Sequence, residues 1–156
     1  MKLNKKIVRI VIVLFIVPML AIAQVDANKQ ADDDLGNVED EFQEYFFEAL
    51  KQKGIENYDR AVDALQKCLT INDKLPVIYF ELGKNYNKLK NFGAAEDNLK
   101  KAISMQPDNV WFLDELYDVY FQQDDINNAI RTIKQLVKYH PDYKEDLAAL
   151  YVREEK

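Results

Sequence analysis

The sequence of 156 residues contains one cysteine, Cys68, and one histidine, His140. A single cysteine cannot form a disulfide within the chain, whatever the redox state of the compartment. One histidine and one cysteine also cannot supply the three or four nitrogen and sulfur ligands of a typical zinc site. The two residue types that most often indicate metal or nucleophilic chemistry are therefore almost absent.

Glycine and proline are also scarce, with four of each. This composition favours helices joined by short turns over a β domain with many tight turns. The sequence has no glycine-rich phosphate loop, no paired catalytic carboxylates and no Ser–His arrangement. Asp32-Asp33-Asp34 and Asp124-Asp125 lack the alternating oxygen ligands and the glycine of a calcium loop. We therefore expect neither an enzyme nor a bound metal or cofactor.

Basic residues are outnumbered by acidic ones, 21 against 27, which gives a formal net charge of −6. Four of the basic residues lie among the first nine, at Lys2, Lys5, Lys6 and Arg9, and without them the net charge is −10. A chain this acidic repels the phosphates of nucleic acid and the headgroups of anionic lipid. Nucleic acid is therefore not expected as a partner.

Residues 1–23 divide into a cationic start, an apolar run over Ile10–Leu20, and small residues in Ala21-Ile22-Ala23. This order is typical of a secretory signal peptide that is cleaved before Gln24. The apolar segment after the last basic residue has 14 residues, short of the ~20 that span a bilayer. We expect an exported, periplasmic or secreted protein. An uncleaved membrane anchor over residues 7–23 is the alternative, and only then would a membrane be a partner.

Residues 24–40 contain Asp32-Asp33-Asp34 and few apolar side chains. Such a segment can bury too little surface to offset the entropy lost on ordering. We expect an acidic flexible linker over residues 24–40, with a role as an acidic interaction tail as the alternative.

From Glu41 onward the sequence resembles itself with a 34-residue period. Apolar residues recur at equivalent positions, as in the series Ala61, Ala95, Ala129 and the series Leu65, Leu99, Ile133. Within one period they fall three or four residues apart, which is helical spacing. Pro-Asp pairs at 107–108 and 141–142 separate the periods, and each aspartate is expected to cap the next helix. A domain over residues 41–156 is thus predicted, with one helix–turn–helix in each of 42–75, 76–109 and 110–143 and a partial or capping helix over 144–156.

The 34-residue pattern resembles the tetratricopeptide repeat family. The period at 76–109 has the signature residues of the family at the family's offsets: Tyr79, Leu82, Gly83, Tyr86, Phe92, Ala95, Leu99, Ala102 and Pro107. The next period has Tyr117 where glycine is usual, and the first has Glu48 and Gln52 where Leu and Tyr belong. The resemblance covers residues 42–156. It implies an all-α, right-handed superhelical solenoid of three hairpins and a C-terminal helix.

Two interpretations of the final helix stay open. Solenoids need a capping helix, because the last hairpin otherwise exposes an apolar face, and Arg153-Glu154-Glu155-Lys156 is suitably polar for one. Tyr151 and Val152 are rather apolar for a cap, which favours a fragment of a longer repeat protein instead.

The resemblance also implies a concave face, lined by the first helix of each hairpin, that binds a protein or peptide. The second, fifth, ninth and twelfth residues of each repeat face the ligand in this family. These are Val77, Phe80, Lys84 and Asn87 in one period and Trp111, Asp114, Asp118 and Phe121 in the next. Some members clamp a terminal carboxylate with cations at these positions, but the two aspartates disfavour that mode here.

Trp111 is the preferred candidate for the hot spot of this groove, because tryptophan is enriched among the residues that dominate binding energy. The alternative is that its ring packs on the preceding helix. Cys68 is expected to be a buried small hydrophobe and His140 a solvent-facing turn residue. The basic strip of Lys67, Lys100, Lys101 and Lys134 is expected to be a solvated outer face, with a docking role as the alternative.

The sequence thus predicts a non-catalytic scaffold or adaptor of the bacterial cell envelope that binds a protein or peptide in its groove. The alternative is a membrane-anchored component of an envelope assembly or secretion machine.

Overall fold

A computed structural model describes residues 38–154 of the chain. The described part of the first helix, α1, covers residues 38–54. It is followed by α2 (Tyr58–Ile71), α3 (Pro76–Lys88), α4 (Phe92–Met105), α5 (Val110–Gln122), α6 (Ile126–Tyr139), a short 3-10 helix (Pro141–Tyr143) and α7 (Lys144–Glu154). No strand occurs within residues 38–154. The proposed signal segment lies outside the described residues, as does most of the expected linker, whose residues 38–40 are helical.

The three hairpin turns repeat the same backbone geometry. Glu56, Lys90 and Asp124 stand one period apart from each other, and each has a positive φ, of 60°, 60° and 58° respectively. In each turn the next residue donates its N–H to the carbonyl five residues earlier, as in the 2.8 Å bond from Asn57 to Gln52. This is the hydrogen bond with which a left-handed residue commonly ends a helix. The period of the sequence is therefore also a period of the backbone.

Short polar side chains begin the later helices. Asn91 accepts a hydrogen bond from the N–H of Ala94, and Asn109 accepts one from the N–H of Trp111 at 3.1 Å. Such caps satisfy amides that have no partner within the helix. The expectation that Asp108 caps α5 is wrong, because the turn after Pro107 is one residue longer. Asp142 lies within the 3-10 helix that precedes α7, so it is not directly before that helix either.

The core is built from side chains that recur with the period. The alanine series is fully buried at all three positions. The side chains of the series Leu65, Leu99 and Ile133 are at most 1% exposed. From α2 to α7 each helix contacts the next one in the chain, and α3 also contacts α5. The predicted all-helical stack of three hairpins and a C-terminal helix is confirmed.

The crossing of α3 and α4 has no room for a side chain at Gly83. A Cβ at this position would stand 2.5 Å from Cγ of Leu99 and 3.3 Å from the carbonyl oxygen of Ala95. Non-bonded carbon atoms do not approach this closely without displacement. Gly83 therefore sets the distance between the two helices of the middle hairpin. No helix in the described part of the chain is long and apolar enough to cross a bilayer.

Candidate functional site

The predicted groove residues on α3 and α5 differ in exposure. Trp111 is 70% exposed, the largest fraction among the large hydrophobic residues of the described chain. Val77 and Phe121 are 39% and 40% exposed, and Phe80 is half-buried. The indole of Trp111 is therefore mostly open to solvent, and α4, the preceding helix, does not cover it.

Three of these residues line one pocket. Val77, Phe80 and Trp111 surround a shallow cavity of about 380 Å³, together with Phe112 and polar residues of the turn between α4 and α5. The rings of Phe80 and Phe112 lie 4.9 Å apart between centroids, at an angle of 36°. The cap at Asn109 fixes where α5 begins and so where Trp111 stands. This is an apolar recess with an exposed aromatic rim, typical of a site that takes an apolar side chain.

A larger depression of about 570 Å³ lies elsewhere, between α1 and α2. Its walls mix acidic and basic side chains, and none of the predicted groove residues lies in it. The predicted groove is therefore separate from this depression.

Carboxylates form the wall next to the apolar pocket. Asp114 and Asp118 follow Trp111 on α5, and the Tyr143 hydroxyl lies near Asp114. Burial raises the pKa of Asp114, the negative charges of Asp118 and Asp146 raise it further, and the favourable interaction with the Tyr143 hydroxyl opposes them. No ion pair within residues 38–154 involves any of these three aspartates. Their negative charge is therefore not neutralised by the described part of the chain.

Asn87, which was expected to face the ligand, is only 1% exposed. Its amide donates to Glu115 at 2.9 Å and to Asp118 at 3.0 Å, and its oxygen accepts from Gln122. The side chain therefore orients the carboxylates of α5 from below the surface.

This contact has an equivalent one period earlier. Lys53 of α1 donates to Glu81 of α3 at 2.6 Å, and these two positions correspond to Asn87 and Glu115 after a shift of one period. Both pairs join the first helices of neighbouring hairpins. They form a polar ladder that sets how the helices lining the groove lie against each other.

Lys84 and Phe121 are both occupied by aromatic contacts. The ammonium of Lys84 lies 5.2 Å from the ring centroid of Phe80. The guanidinium of Arg153 lies 4.7 Å from the ring centroid of Phe121 and forms a 2.6 Å ion pair with Asp124. Neither Lys84 nor Arg153 forms an ion pair with Asp114 or Asp118. Through Arg153, α7 contributes to the groove as well as covering α6.

Sequence reasoning missed Tyr143 and Asp146. Tyr143 is the last residue of its period, and Asp146 belongs to a helix that was interpreted only as a cap or as the start of further repeats. Neither occupies a ligand-facing position of the family. No sequence signal could have found them, because their place depends on how α7 folds back on α6.

The remaining reactive residues are not near the pocket. Cys68 is fully buried in α2, and burial raises the pKa of its thiol. Part of the basic strip contacts tyrosines: Lys67, Lys101 and Lys134 lie 4.9, 5.9 and 5.1 Å from the ring centroids of Tyr45, Tyr79 and Tyr151. Within the described residues no three His, Cys, Asp or Glu side chains are grouped so that they could hold a metal ion.

The tetratricopeptide repeat model matches residues 88–153. Residues 88–153 carry the sequence pattern of tetratricopeptide repeats. No curated protein sequence is similar enough to count as a match. The described helices form three hairpins and a C-terminal helix, and together they have the right-handed superhelical solenoid of the tetratricopeptide fold.

Solved tetratricopeptide structures are similar to this chain in fold at low sequence identity. The first such domain of Spaghetti (RPAP3), bound to the HSP90 peptide SRMEEVD, is 16% identical with a TM-score of 0.67, covering 75% of this chain and 95% of that one. MamA is 19% identical with a TM-score of 0.67, covering 82% and 74%. The Yersinia enterocolitica type III secretion chaperone SycD, in complex with a peptide of the translocator YopD, is 14% identical with a TM-score of 0.65, covering 74% and 95%.

Proposed function

We propose that the chain is a non-catalytic scaffold or adaptor that binds a segment of another protein against the α3 and α5 face. The observation that carries this proposal is the exposed indole of Trp111 at the rim of an apolar pocket with Val77 and Phe80. A tryptophan left 70% exposed adds little to the core, whereas aromatic anchors of this kind dominate binding energy in interfaces. The bound peptides of the Spaghetti and SycD structures support a peptide as the partner.

Affinity capture from a cell-envelope extract tests this function. We expect the wild-type protein to retain a partner that Trp111→Ala releases, since the loss of such an anchor costs about 2 kcal/mol of binding energy. The melting temperature should change little, because the ring makes few core contacts. Ile55→Ala is the matched control: Ile55 is a 65% exposed apolar residue in the turn between α1 and α2, and its loss should leave capture unchanged. A lower melting temperature with unchanged capture would show that Trp111 is structural.

The proposed location is the bacterial cell envelope, with the protein exported and its signal segment removed. The support for this is the arrangement of residues 1–23 in the sequence. A membrane-anchored component of an envelope assembly or secretion machine is the second candidate, because the same residues would serve as a tether if they were retained.

Intact-mass measurement of the protein from its native host separates these two locations. We expect a mature N-terminus at Gln24, since Ala21 and Ala23 are the small residues that a signal peptidase reads. Retention of residues 1–23 would instead support the tethered form and leave the groove proposal intact.

A further inference from the structure

We infer that the partner segment is a cationic peptide in extended conformation, with one apolar side chain in the Trp111 pocket and Lys or Arg side chains against Asp114 and Asp118. This inference rests on the proposed function and names the chemistry of the ligand. It concerns a peptide segment and no other class of molecule.

The negative charges of the groove complement a cationic peptide. Asp114 and Asp118 lie on the same helix as Trp111, and Asp146 of α7 adds to their negative potential. Asp118 accepts hydrogen bonds from Asn87 and Gln122, but neutral amides leave its charge in place. An acidic or phosphorylated segment would be repelled from this wall, whereas a cationic one is attracted.

Two cations on the helices of the groove make contacts with groups other than these carboxylates. Lys84 of α3 lies over the ring of Phe80, and Arg153 of α7 is paired with Asp124. The hydroxyl of Tyr143 lies near Asp114, and it carries no positive charge at neutral pH. No ion pair within residues 38–154 neutralises Asp114 or Asp118, so their negative charge is available to a ligand.

The spacing of the groups fits an extended peptide. Trp111 and Asp114 are three helical residues apart, about 4.5 Å along the axis, and Asp118 lies about 6 Å further. Alternate residues of an extended chain project to the same side about 6.6 Å apart. One apolar residue followed by cations at the second and fourth positions after it comes within about 3 Å of this spacing overall, a difference that the long side chains of Lys and Arg can span.

Keeping Asp114 ionised reduces the stability of the fold. Its pKa is raised in the folded state, so the folded protein binds protons more readily than the unfolded chain, and stability falls as pH rises through that window. This loss of stability is absent at pH values below the usual pKa range of aspartate, and it is complete at pH values above the raised pKa of Asp114. Asp114→Asn should therefore raise the melting temperature at neutral pH, and the difference should vanish in acid. A residue that reduces stability yet stands beside an apolar pocket is typical of a binding site.

Fluorescence anisotropy with three labelled peptides tests the inference on the purified protein. The first has one leucine with lysines at the second and fourth positions after it, in a glycine–serine background. The other two carry glutamine or glutamate in place of both lysines. We expect the lysine peptide to bind at least about fivefold more tightly than the glutamine peptide, the effect of two partly exposed ion pairs. Binding should weaken as salt shortens the Debye length from about 30 Å at 0.01 M to about 3 Å at 1 M.

Matched double variants separate the groove from the overall charge of the protein. Asp114→Asn with Asp118→Asn removes two negative charges from the groove, and we expect at least about a fivefold loss for the lysine peptide. Asp63→Asn with Asp97→Asn removes two from exposed positions one period apart on α2 and α4, and should change affinity by less than about twofold. Equal losses in both variants, or equal affinity for the lysine and glutamine peptides, would overturn the inference.

The test also distinguishes failure of this inference from failure of the proposed function. If Trp111→Ala releases the captured partner but lysines give no advantage, the groove binds a partner of other chemistry and the cationic peptide is wrong. If Trp111→Ala has no effect on capture, the groove itself is not the binding site.

Discussion

Gly83→Ala is expected to lower the free energy of unfolding by about 1–3 kcal/mol, the usual cost of overpacking a tight core. This is unusual for a helix interior, where alanine is favoured over glycine by about 1 kcal/mol. The reason is that the new Cβ would stand 2.5 Å from Cγ of Leu99, a side chain that is itself fully buried. Its other close neighbour is the backbone oxygen of Ala95, which cannot rotate away. Chemical denaturation of both proteins measures the difference.

Gly93→Ala is the matched control, because Gly93 also lies in a helix and a Cβ there would meet nothing within 4 Å. It should stabilise the protein by up to about 1 kcal/mol through helix propensity alone. In a Leu99→Ala background most of the cost of Gly83→Ala should disappear, since the Leu99 atoms that clash most closely are gone and only the tight contact with the Ala95 oxygen remains. If Gly83→Ala stabilised the wild-type protein as much as Gly93→Ala does, the close crossing of α3 and α4 would be contradicted.

Lys53→Ala is expected to lower the free energy of unfolding by about 2 kcal/mol, because it leaves the charge of a mostly buried partner unpaired. The side chain of Lys53 is 29% exposed and that of Glu81 only 11%, with 2.6 Å between Nζ and Oε2. Removal of one partner of a fully buried pair costs about 3–5 kcal/mol, and partial exposure here reduces the effect. The pair joins α1 to α3, so the variant should also loosen the groove. Thermal and urea unfolding measure the change.

Lys100→Ala is the control for this prediction. Lys100 pairs with Glu96 at 2.5 Å, but its side chain is 57% exposed, so its loss should change stability by less than about 1 kcal/mol. Lys53→Met combined with Glu81→Leu should recover most of the loss, because no charge is left unpaired. Equal effects of Lys53→Ala and Lys100→Ala would show that the polar ladder does not hold the helices.

The fold could be predicted in detail because each 34-residue period places small and large apolar residues at the same points of its hairpin. The alanine series marks helix crossings, and the bounds of the observed hairpins follow from where apolar spacing stops. The exact caps were less predictable. Asn109 and Asp108 are both good capping residues, and which of them caps α5 depends on the length of the turn after Pro107.

The candidate site was predictable in its position but not in the state of its side chains. Trp111, Val77 and Phe80 meet at one pocket, whereas Asn87 lies beneath the surface because the carboxylates of α5 draw its amide inward. Whether a polar residue at a groove position faces a ligand or its own chain depends on neighbours brought close by folding. For the same reason, the sequence did not indicate that Tyr143, the last residue of its period, lies near Asp114.

Trp111 is the sole tryptophan of the sequence, so its fluorescence reports on the groove without a label. Titration of the purified protein with the lysine peptide therefore tests the binding site most directly. If the apolar residue of the peptide covers the exposed indole, the emission shifts to shorter wavelength and saturates with the same dissociation constant as the anisotropy. Saturable binding by anisotropy with unchanged tryptophan emission would contradict the account, because the ligand would then bind away from the pocket.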